Sequence, residues 1–234
     1  MTGVDRNSPV GDVTCGRRRC AIETSISAMA AFADTWPLEP EAILEARRRA
    51  DDLGLAPLAP SATAILTFLA STVQAQAIVE IGTGTGVCGA ALLAGMTPGG
   101  TLTTIDLEAE YQRYAREAFA GLGHEPSRVR CIAGRALDVL PRMSDGAYDM
   151  VVVDADRGEY PAILDQARRL LRIGGLIILI GVGADGALTD PARRDAEASA
   201  VKEVAEALRS DDTWVPACLV EGSGMLVGCL TRRD

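Results

Sequence analysis

Apolar residues follow two different spacings along this chain, and the change of spacing divides it into two regions. Between residues 39 and 53, and again between 60 and 73, they recur every three or four positions, which predicts two amphipathic helices. From residue 77 onward, short continuous apolar runs alternate with helical segments. This alternation is typical of a parallel sheet whose two faces are both covered by helices. The predicted strands are 77–81, 101–105, 129–133, 149–154 and 175–180, and the helices between them are 87–96, 108–121, 137–142 and 160–171.

The end of the chain departs from this alternation. A helical pattern over 192–208 is followed by two apolar runs, 214–220 and 225–230, which only Glu221-Gly-Ser-Gly224 separates. Four residues are too few for a parallel crossover, so the two runs are predicted to form an antiparallel hairpin. The expected fold class is therefore α/β, with a mostly parallel seven-stranded sheet that ends in an antiparallel hairpin and is preceded by N-terminal helices.

Composition limits the organisation and the partners of the chain. Residues 1–24 are rich in Gly, Ser, Pro and Arg and predict a flexible arm, whereas residues 25–234 are expected to form one domain. Within that domain, helices occupy 25–76 and the ligand-binding core occupies 77–234. The net charge of -9 argues against a nucleic-acid partner. The chain has no uncharged apolar run of the roughly 18 residues that a membrane span requires.

The six cysteines are too scattered for a zinc-binding pattern, so reduced thiols in a cytoplasmic protein are expected. Cys15 and Cys20 flank three arginines, and two alternatives remain open for this segment. The pair has the residue type of metal or redox ligands, and the arginines with the small residues after them resemble an export signal, although Glu23 interrupts the apolar stretch.

A glycine-rich loop follows the first predicted strand and admits two interpretations. Gly84, Gly86 and Gly89 have the G-x-G-x-x-G spacing of a dinucleotide site, with Asp106 about twenty residues further on. Counted from Glu80, the same segment is E-x-G-x-G-x-G, which resembles motif I of class I S-adenosylmethionine-dependent methyltransferases. The second interpretation is favoured because Gly82 directly follows the strand and because the terminal hairpin resembles the closing strands of that Rossmann-like methyltransferase fold.

Three further segments resemble the catechol and caffeoyl-CoA O-methyltransferase family, and in particular the O-methyltransferases of actinobacteria. They are YDMVVVDADRGEY at 148–160, LLRIGGLI at 170–177 and GRALDVL at 134–140. The resemblance covers residues 40–234. It implies an S-adenosylmethionine-dependent enzyme that methylates an oxygen of a small molecule, and it implies a homodimer.

The resemblance also implies a set of residues that contact the methyl donor. Asp106 would accept the two ribose hydroxyls, Arg135 and Ala136 would flank the adenine, and Asp154 would lie where the chemistry takes place. Side chains around the methionine part and along the remaining donor surface complete the set, which consists of Leu58, Glu80, Gly82, Thr83, Gly84, Cys88, Asp106, Arg135, Ala136, Asp154 and Asp156.

Two departures from the family bear on catalysis. The family's metal-binding Asp-Asn pair is replaced by Ile180-Gly181, and its basic Lys is replaced by Arg157. An isoleucine supplies no oxygen ligand, and arginine stays protonated in proteins. We therefore expect no metal site, with Asp154 and Arg157 as catalytic residues, Asp154 accepting a proton and Arg157 steadying an anionic substrate. Three alternatives remain: a shifted metal site at Asp154, Asp156 and Asp185, a non-catalytic donor-binding protein, and an NAD-dependent oxidoreductase.

Overall fold

The computed structural model describes residues 25–233, so the predicted arm at 1–24 and its two cysteines lie outside the described part of the chain. One seven-stranded sheet forms the centre, in the order β3-β2-β1-β4-β5-β7-β6. The strands are β1 (Ala77–Ile81), β2 (Thr101–Asp106), β3 (Val129–Ala133), β4 (Tyr148–Val153), β5 (Leu171–Ile180), β6 (Trp214–Leu219) and β7 (Met225–Leu230). Strands β1 to β5 pair in parallel, whereas β7 is antiparallel to both of its neighbours. The predicted fold class is confirmed.

Helices cover both faces of the sheet. Residues 25–35 are helical (α1), and they are followed by α2 (Glu41–Asp52), α3 (Pro60–Thr72), α4 (Val87–Gly95), α5 (Ala109–Gly121), α6 (Ala136–Val139), α7 (Tyr160–Leu170) and α8 (Ala196–Ser210). Helices α2 to α5 share one buried cluster with the sheet, and α6 to α8 share the other. Successive strand residues contribute to opposite clusters, as Ile78 and Val79 of β1 do, because strand side chains alternate between faces.

Most element boundaries lie within two residues of the predicted ones, and three elements differ in a way that the structure explains. Helix α8 begins at residue 196 because the side chain of Asp195 caps it by accepting the backbone N–H of Ala198. Strand β5 begins at Leu171 because its register with β4 shifts between Tyr148 and Met150. Tyr148 pairs with Leu171 and Met150 pairs with Leu176, so the residues between them belong to the strand as an irregular segment. The predicted helix at 137–142 is a short α-helix that continues as the 3-10 turn Leu140–Arg142, since Pro141 cannot continue regular hydrogen bonding.

Helix α3 carries one large apolar side chain outside the core. Phe68 is 67% exposed, since it lies on the face of α3 that points away from the sheet. Ser61 lies in the first turn of this helix, and its hydroxyl and its backbone N–H both donate to the carboxylate of Asp34. The apolar pattern predicted helix α3. It did not predict the contact between Ser61 and Asp34, because Asp34 belongs to α1.

The connections at one end of the sheet bring three loops together. Beyond the last residue of β1, the N–H of Gly82 donates to the carbonyl of Ile105, and the N–H of Asp154 donates to the carbonyl of Ile81. Strand β1 therefore lies between β2 and β4, and the chain crosses to opposite sides of β1 at this point. In open parallel sheets, ligands bind at the carboxyl ends of the strands where the strand order reverses.

Candidate active site

The loop after β1 runs close to the neighbouring strand end. Gly82 has φ +93°, and a Cβ added there would come within 1.9 Å of the Asp154 carbonyl oxygen. Gly84 has φ +49°, and an added Cβ would meet no atom within 4 Å. The first glycine is thus required by close packing, whereas the second leaves the backbone open toward a cleft.

Asp106, the last residue of β2, holds this loop in place. One oxygen of its carboxylate accepts the backbone N–H groups of Thr83 at 2.8 Å and Gly84 at 3.0 Å. The other oxygen accepts the N–H of Glu108 at 2.9 Å. A carboxylate offers about four lone-pair positions, so acceptor capacity remains for a ligand hydroxyl beside the loop.

A cleft of about 680 Å³ opens above the carboxyl ends of β1, β2 and β4. This volume falls within the range of 300–1,000 Å³ that is usual for small-molecule sites. The predicted donor-binding residues that line it are Leu58, Gly82, Thr83, Gly84, Cys88, Asp106, Arg135, Ala136, Asp154 and Asp156. The structure therefore brings together residues that are nearly a hundred positions apart in the sequence.

Glu80 is the exception among the predicted donor contacts. Its side chain is completely buried and does not line the cleft, because Glu80 alternates with Ile81 and faces the α4 side of the sheet. Neither carboxyl oxygen has a hydrogen-bond partner among the described residues. Burial raises the pKa of this carboxyl to about 8, so it is largely protonated at neutral pH. Glu80, expected among the donor contacts, therefore lies outside the residues that line the cleft.

Arg135 and Asp156 lie at the rim of the cleft, and each is engaged locally. The Arg135 side chain is 61% exposed and donates to Glu159 at 2.6 Å. The Asp156 carboxylate accepts the N–H of Gly158 at 2.9 Å. Cys88 lies deeper, and burial raises the pKa of its thiol well above the ordinary value, so it lines the cleft as a neutral group.

Sequence reasoning missed several residues of the cleft wall. The segment 55–57 closes one side of the cleft, and Leu107, Tyr111 and Glu159 line another part. The guanidinium of Arg47 donates to the Leu58 carbonyl and to both carboxylate oxygens of Glu39, which fixes this segment against α2. Thr85 adds a link by donating to the Ala46 carbonyl at 2.7 Å. In the sequence, segment 55–57 shows only small or apolar residues and a proline, which do not predict that it forms a wall of the cleft.

A smaller cavity of about 220 Å³ adjoins the cleft. The two share Asp154, Ala155 and Asp156, so this segment forms the wall between them. The side chain of Asp154 makes no hydrogen bond or ion pair with any residue in the described range 25–233. Burial raises the pKa of its carboxyl from 3.8 to about 6. Asp154 therefore presents a partnerless carboxylate at the junction of the two cavities at neutral pH.

Arg157 lies in the smaller cavity, not in the main cleft. Its guanidinium donates to Glu197 at 2.7 Å and to the Gly181 carbonyl at 3.2 Å, and it lies 3.7 Å from an oxygen of Asp185. With its side chain only 19% exposed, Arg157 has its charge largely compensated by these acceptors. Arg157 was expected to steady an anionic substrate, and with these contacts little of its charge remains uncompensated for one.

The three carboxylates considered from the sequence as a shifted metal site differ in their surroundings. Asp185 pairs with Arg157, and Asp156 accepts the Gly158 N–H. Within residues 25–233, no group of three or more His, Cys, Asp or Glu side chains is placed to share a metal ion. Within the same residues, no helix combines the length and the low polarity needed to cross a membrane.

The comparison with family models now identifies the kind of protein. The model described as O-methyltransferase matches residues 39–231. This chain belongs to the O-methyltransferase family. A protein of Mycobacterium avium (strain 104) named "Putative O-methyltransferase" is 43% identical over 226 residues, which cover 97% of this chain and 98% of the relative. The antiparallel end of the sheet agrees with this assignment, and the comparisons give no support to the dinucleotide interpretation of the glycine loop.

Solved structures agree with the family assignment. A protein of Corynebacterium glutamicum has a TM-score of 0.82 and 30% identity to this O-methyltransferase, covering 90% of this chain and 99% of that one. The O-methyltransferase TomG of Streptomyces achromogenes, involved in tomaymycin synthesis and solved in complex with S-adenosylmethionine, has a TM-score of 0.79 and 29% identity, covering 88% and 96%. The chain is an S-adenosylmethionine-dependent O-methyltransferase that acts on a small molecule.

The residues of the cleft suit this methyl donor. Gly84 leaves room where any side chain would project toward the ligand, and Asp106 retains acceptor capacity for ribose hydroxyls. Leu107, Tyr111 and Ala136 offer apolar surface for a base. The donor supplies an electrophilic methyl group, so the protein has to align an acceptor oxygen and remove its proton.

Proposed function

We propose that this O-methyltransferase methylates a hydroxyl group of a small molecule without a metal ion, and that Asp154 accepts the hydroxyl proton. The observation that carries the proposal is the partnerless carboxyl of Asp154 at the junction of the donor cleft and the smaller cavity. A group at this position faces a ligand in either cavity. No other described carboxylate combines that position with the absence of a partner.

The proton balance of the proposed step is simple. The acceptor hydroxyl gives its proton to the Asp154 carboxylate, and its oxygen forms the new bond to the methyl carbon as the carbon–sulfur bond breaks. A pKa of about 6 makes Asp154 a stronger base than an ordinary aspartate while leaving it ionised at pH 7. Holding the two reacting groups in line can lower the barrier by roughly 7–11 kcal/mol.

The end of β5 supports the absence of a metal from the proposed mechanism. Ile180 is 2% exposed, and its carbonyl accepts the hydroxyl of Tyr160. The Gly181 carbonyl accepts Arg157. Each of these two carbonyl oxygens thus already accepts an internal hydrogen bond, and Asp154 by itself falls well short of the six or more oxygens that hard cations bind.

Replacing Asp154 by Asn tests this role, since the amide keeps the shape and removes the base. We expect a loss of turnover of at least tenfold, with affinity for S-adenosylhomocysteine within about threefold of wild type. Equal turnover of the Asn variant would contradict the role of Asp154. A wild-type protein that binds the donor but turns over no hydroxyl compound would favour the non-catalytic alternative.

We further propose that the protein acts as a cytoplasmic homodimer. Cys88, Cys131, Cys218 and Cys229 are unpaired in the described residues, in keeping with a reducing compartment. Edge strand β6 carries exposed Val215, and Val220 follows it, which provides apolar surface for a second copy near the terminal hairpin. Light scattering that gives twice the chain mass of 24.5 kDa would support the dimer, and a value of one chain would contradict it.

A further inference from the structure

The smaller cavity has an unusual balance of charge. Asp154, Asp156 and Glu197 line it as carboxylates, and Arg157 lines it as a cation. Asp185 adds a further carboxylate beside the guanidinium. Because Arg157 is already bound by Glu197, Asp185 and the Gly181 carbonyl, it offers little uncompensated positive charge to a ligand.

The remaining lining leaves negative charge uncompensated. Asp154 has no hydrogen-bond or ion-pair partner among residues 25–233. The Asp156 carboxylate accepts the Gly158 N–H, which is a neutral donor. An unpartnered charge in a partly buried site is costly, and a ligand of opposite charge reduces that cost. At an effective dielectric constant of about 20, charges 4 Å apart still interact strongly.

We propose that this cavity binds the methyl acceptor and that it selects a hydroxyl compound carrying a protonated amine over one carrying a carboxylate. The inference rests on the proposed function, because it takes the cavity beside Asp154 as the acceptor site. In this arrangement the hydroxyl lies against Asp154, which takes its proton, and the ammonium group at the other end of the acceptor compensates the carboxylate of Asp156.

Part of the cavity wall is fixed by a buried side chain. The hydroxyl of Tyr160 donates to the Ile180 carbonyl, and Tyr160 and Gly181 both line the cavity. The cavity has a volume of about 220 Å³ and opens to solvent, so it can receive a single ring with a short side chain.

Three matched phenols test the charge preference. Tyramine, 4-ethylphenol and 4-hydroxyphenylacetate share a ring and a hydroxyl and differ in carrying an ammonium, a neutral or a carboxylate group. Binding of each to the full chain saturated with S-adenosylhomocysteine is measured by calorimetry. We expect tyramine to bind at least tenfold more tightly than 4-hydroxyphenylacetate, with 4-ethylphenol between them. Equal affinities, or tighter binding of the carboxylate, would overturn the inference.

Variants of the lining residues test whether this cavity causes the preference for tyramine over 4-hydroxyphenylacetate. Replacing Glu197 by Gln frees the charge of Arg157, so the tyramine preference should fall at least threefold. Asp156→Asn should lower it similarly, since an Asn can still accept the Gly158 N–H. Glu203→Gln, at an exposed position of the same helix as Glu197, should leave the preference unchanged. An unchanged preference in both folded cavity variants would place the selection elsewhere and overturn the inference.

The same experiment separates the inference from the proposed function. If S-adenosylhomocysteine binds but none of the three phenols binds at millimolar concentration, the acceptor inference is wrong while the donor assignment stands. If S-adenosylhomocysteine does not bind, the proposed function fails, and the inference that rests on it fails as well. Unaltered thermal unfolding shows that each variant is folded.

Discussion

The carboxylate of Asp106 accepts the backbone N–H of Thr83 at 2.8 Å, so the last residue of β2 fixes the loop that follows β1. The neighbouring N–H of Gly84 binds the same oxygen. Asp106 shapes the glycine loop in this way. We expect the acceptor capacity that remains to bind the ribose of the donor.

Replacing Asp106 by Asn should weaken binding of S-adenosylhomocysteine at least tenfold. The amide keeps one acceptor oxygen but loses the charge, and a hydrogen bond to a charged group is worth about 1.5–3 kcal/mol. Calorimetry of the pure protein measures the change. Asp138→Asn, at an exposed position of α6, is the matched control and should bind like wild type. Wild-type affinity in the Asp106 variant would contradict the placement of the donor.

Gly82 and Gly84 should respond differently to replacement by alanine. A Cβ at Gly82 would come within 1.9 Å of the Asp154 carbonyl, so the loop and the end of β4 must separate. A Cβ at Gly84 meets no atom within 4 Å, which leaves the backbone strain of φ +49°. We expect Gly82→Ala to lower the free energy of unfolding by more than 2 kcal/mol, as steric conflicts in packed sites do, and Gly84→Ala to lower it by about 1 kcal/mol. Urea unfolding compares the two, and equal losses would show that close packing at Gly82 is unimportant.

Glu80 should make the stability of the protein depend on pH. Its pKa in the folded chain is about 8, above the ordinary 4.5, so the folded state binds an extra proton between these values. The stability contribution of the protonated form is complete below pH 4.5 and is lost as pH rises through 8, at up to about 1.4 kcal/mol per pH unit. Glu80→Gln should remove this decline and exceed wild type in stability at pH 8.

The measurement for Glu80 is the free energy of unfolding of both proteins between pH 5 and 9. Parallel pH profiles would show that the Glu80 carboxyl titrates normally. Affinity for S-adenosylhomocysteine in Glu80→Gln should stay within about threefold of wild type, because the side chain does not line the cleft. A large loss of affinity in a folded variant would restore Glu80 as a direct donor contact.

The sequence predicted the sheet, its antiparallel end and most of the cleft because these depend on local patterns. Continuous apolar runs identify the buried strands, and an acidic residue that ends β2 is recognisable from its spacing to the glycine loop. The direction of a single side chain depends on finer detail. Glu80 was expected to contact the donor but does not line the cleft, because one step along a strand changes the face of the sheet on which a side chain lies.

Arg157 and the 55–58 segment show a second limit of sequence reasoning. The partner of Arg157 is Glu197, forty positions away on α8, and no periodicity relates them. Arg47 holds the Leu58 carbonyl from a different helix, although the sequence there shows only an apolar residue beside a proline. Long-range pairs of this kind form when the elements pack, so tertiary structure decides which charges remain available to a ligand.

Metal removal tests the metal-independent mechanism. Treatment with excess EDTA should leave both donor affinity and turnover unchanged, and added magnesium, manganese or calcium should not stimulate turnover. The physical reason is that Ile180 has replaced a ligand and that Arg157 occupies the Gly181 carbonyl. Activity that EDTA removes and a divalent cation restores would show that a metal site exists despite these replacements.

The central claim is methyl transfer from S-adenosylmethionine to an oxygen atom of a small acceptor, and one isotope experiment tests it directly. The purified protein is incubated with donor carrying a ¹³C-labelled methyl group and with a panel of phenols and other hydroxyl compounds. Mass spectrometry and NMR then measure S-adenosylhomocysteine and the position of the label. The account predicts equal amounts of S-adenosylhomocysteine and of a product with a ¹³C methyl group on oxygen, both strongly reduced in Asp154→Asn. Donor binding without transfer to any acceptor, or label found on nitrogen or carbon, would contradict it.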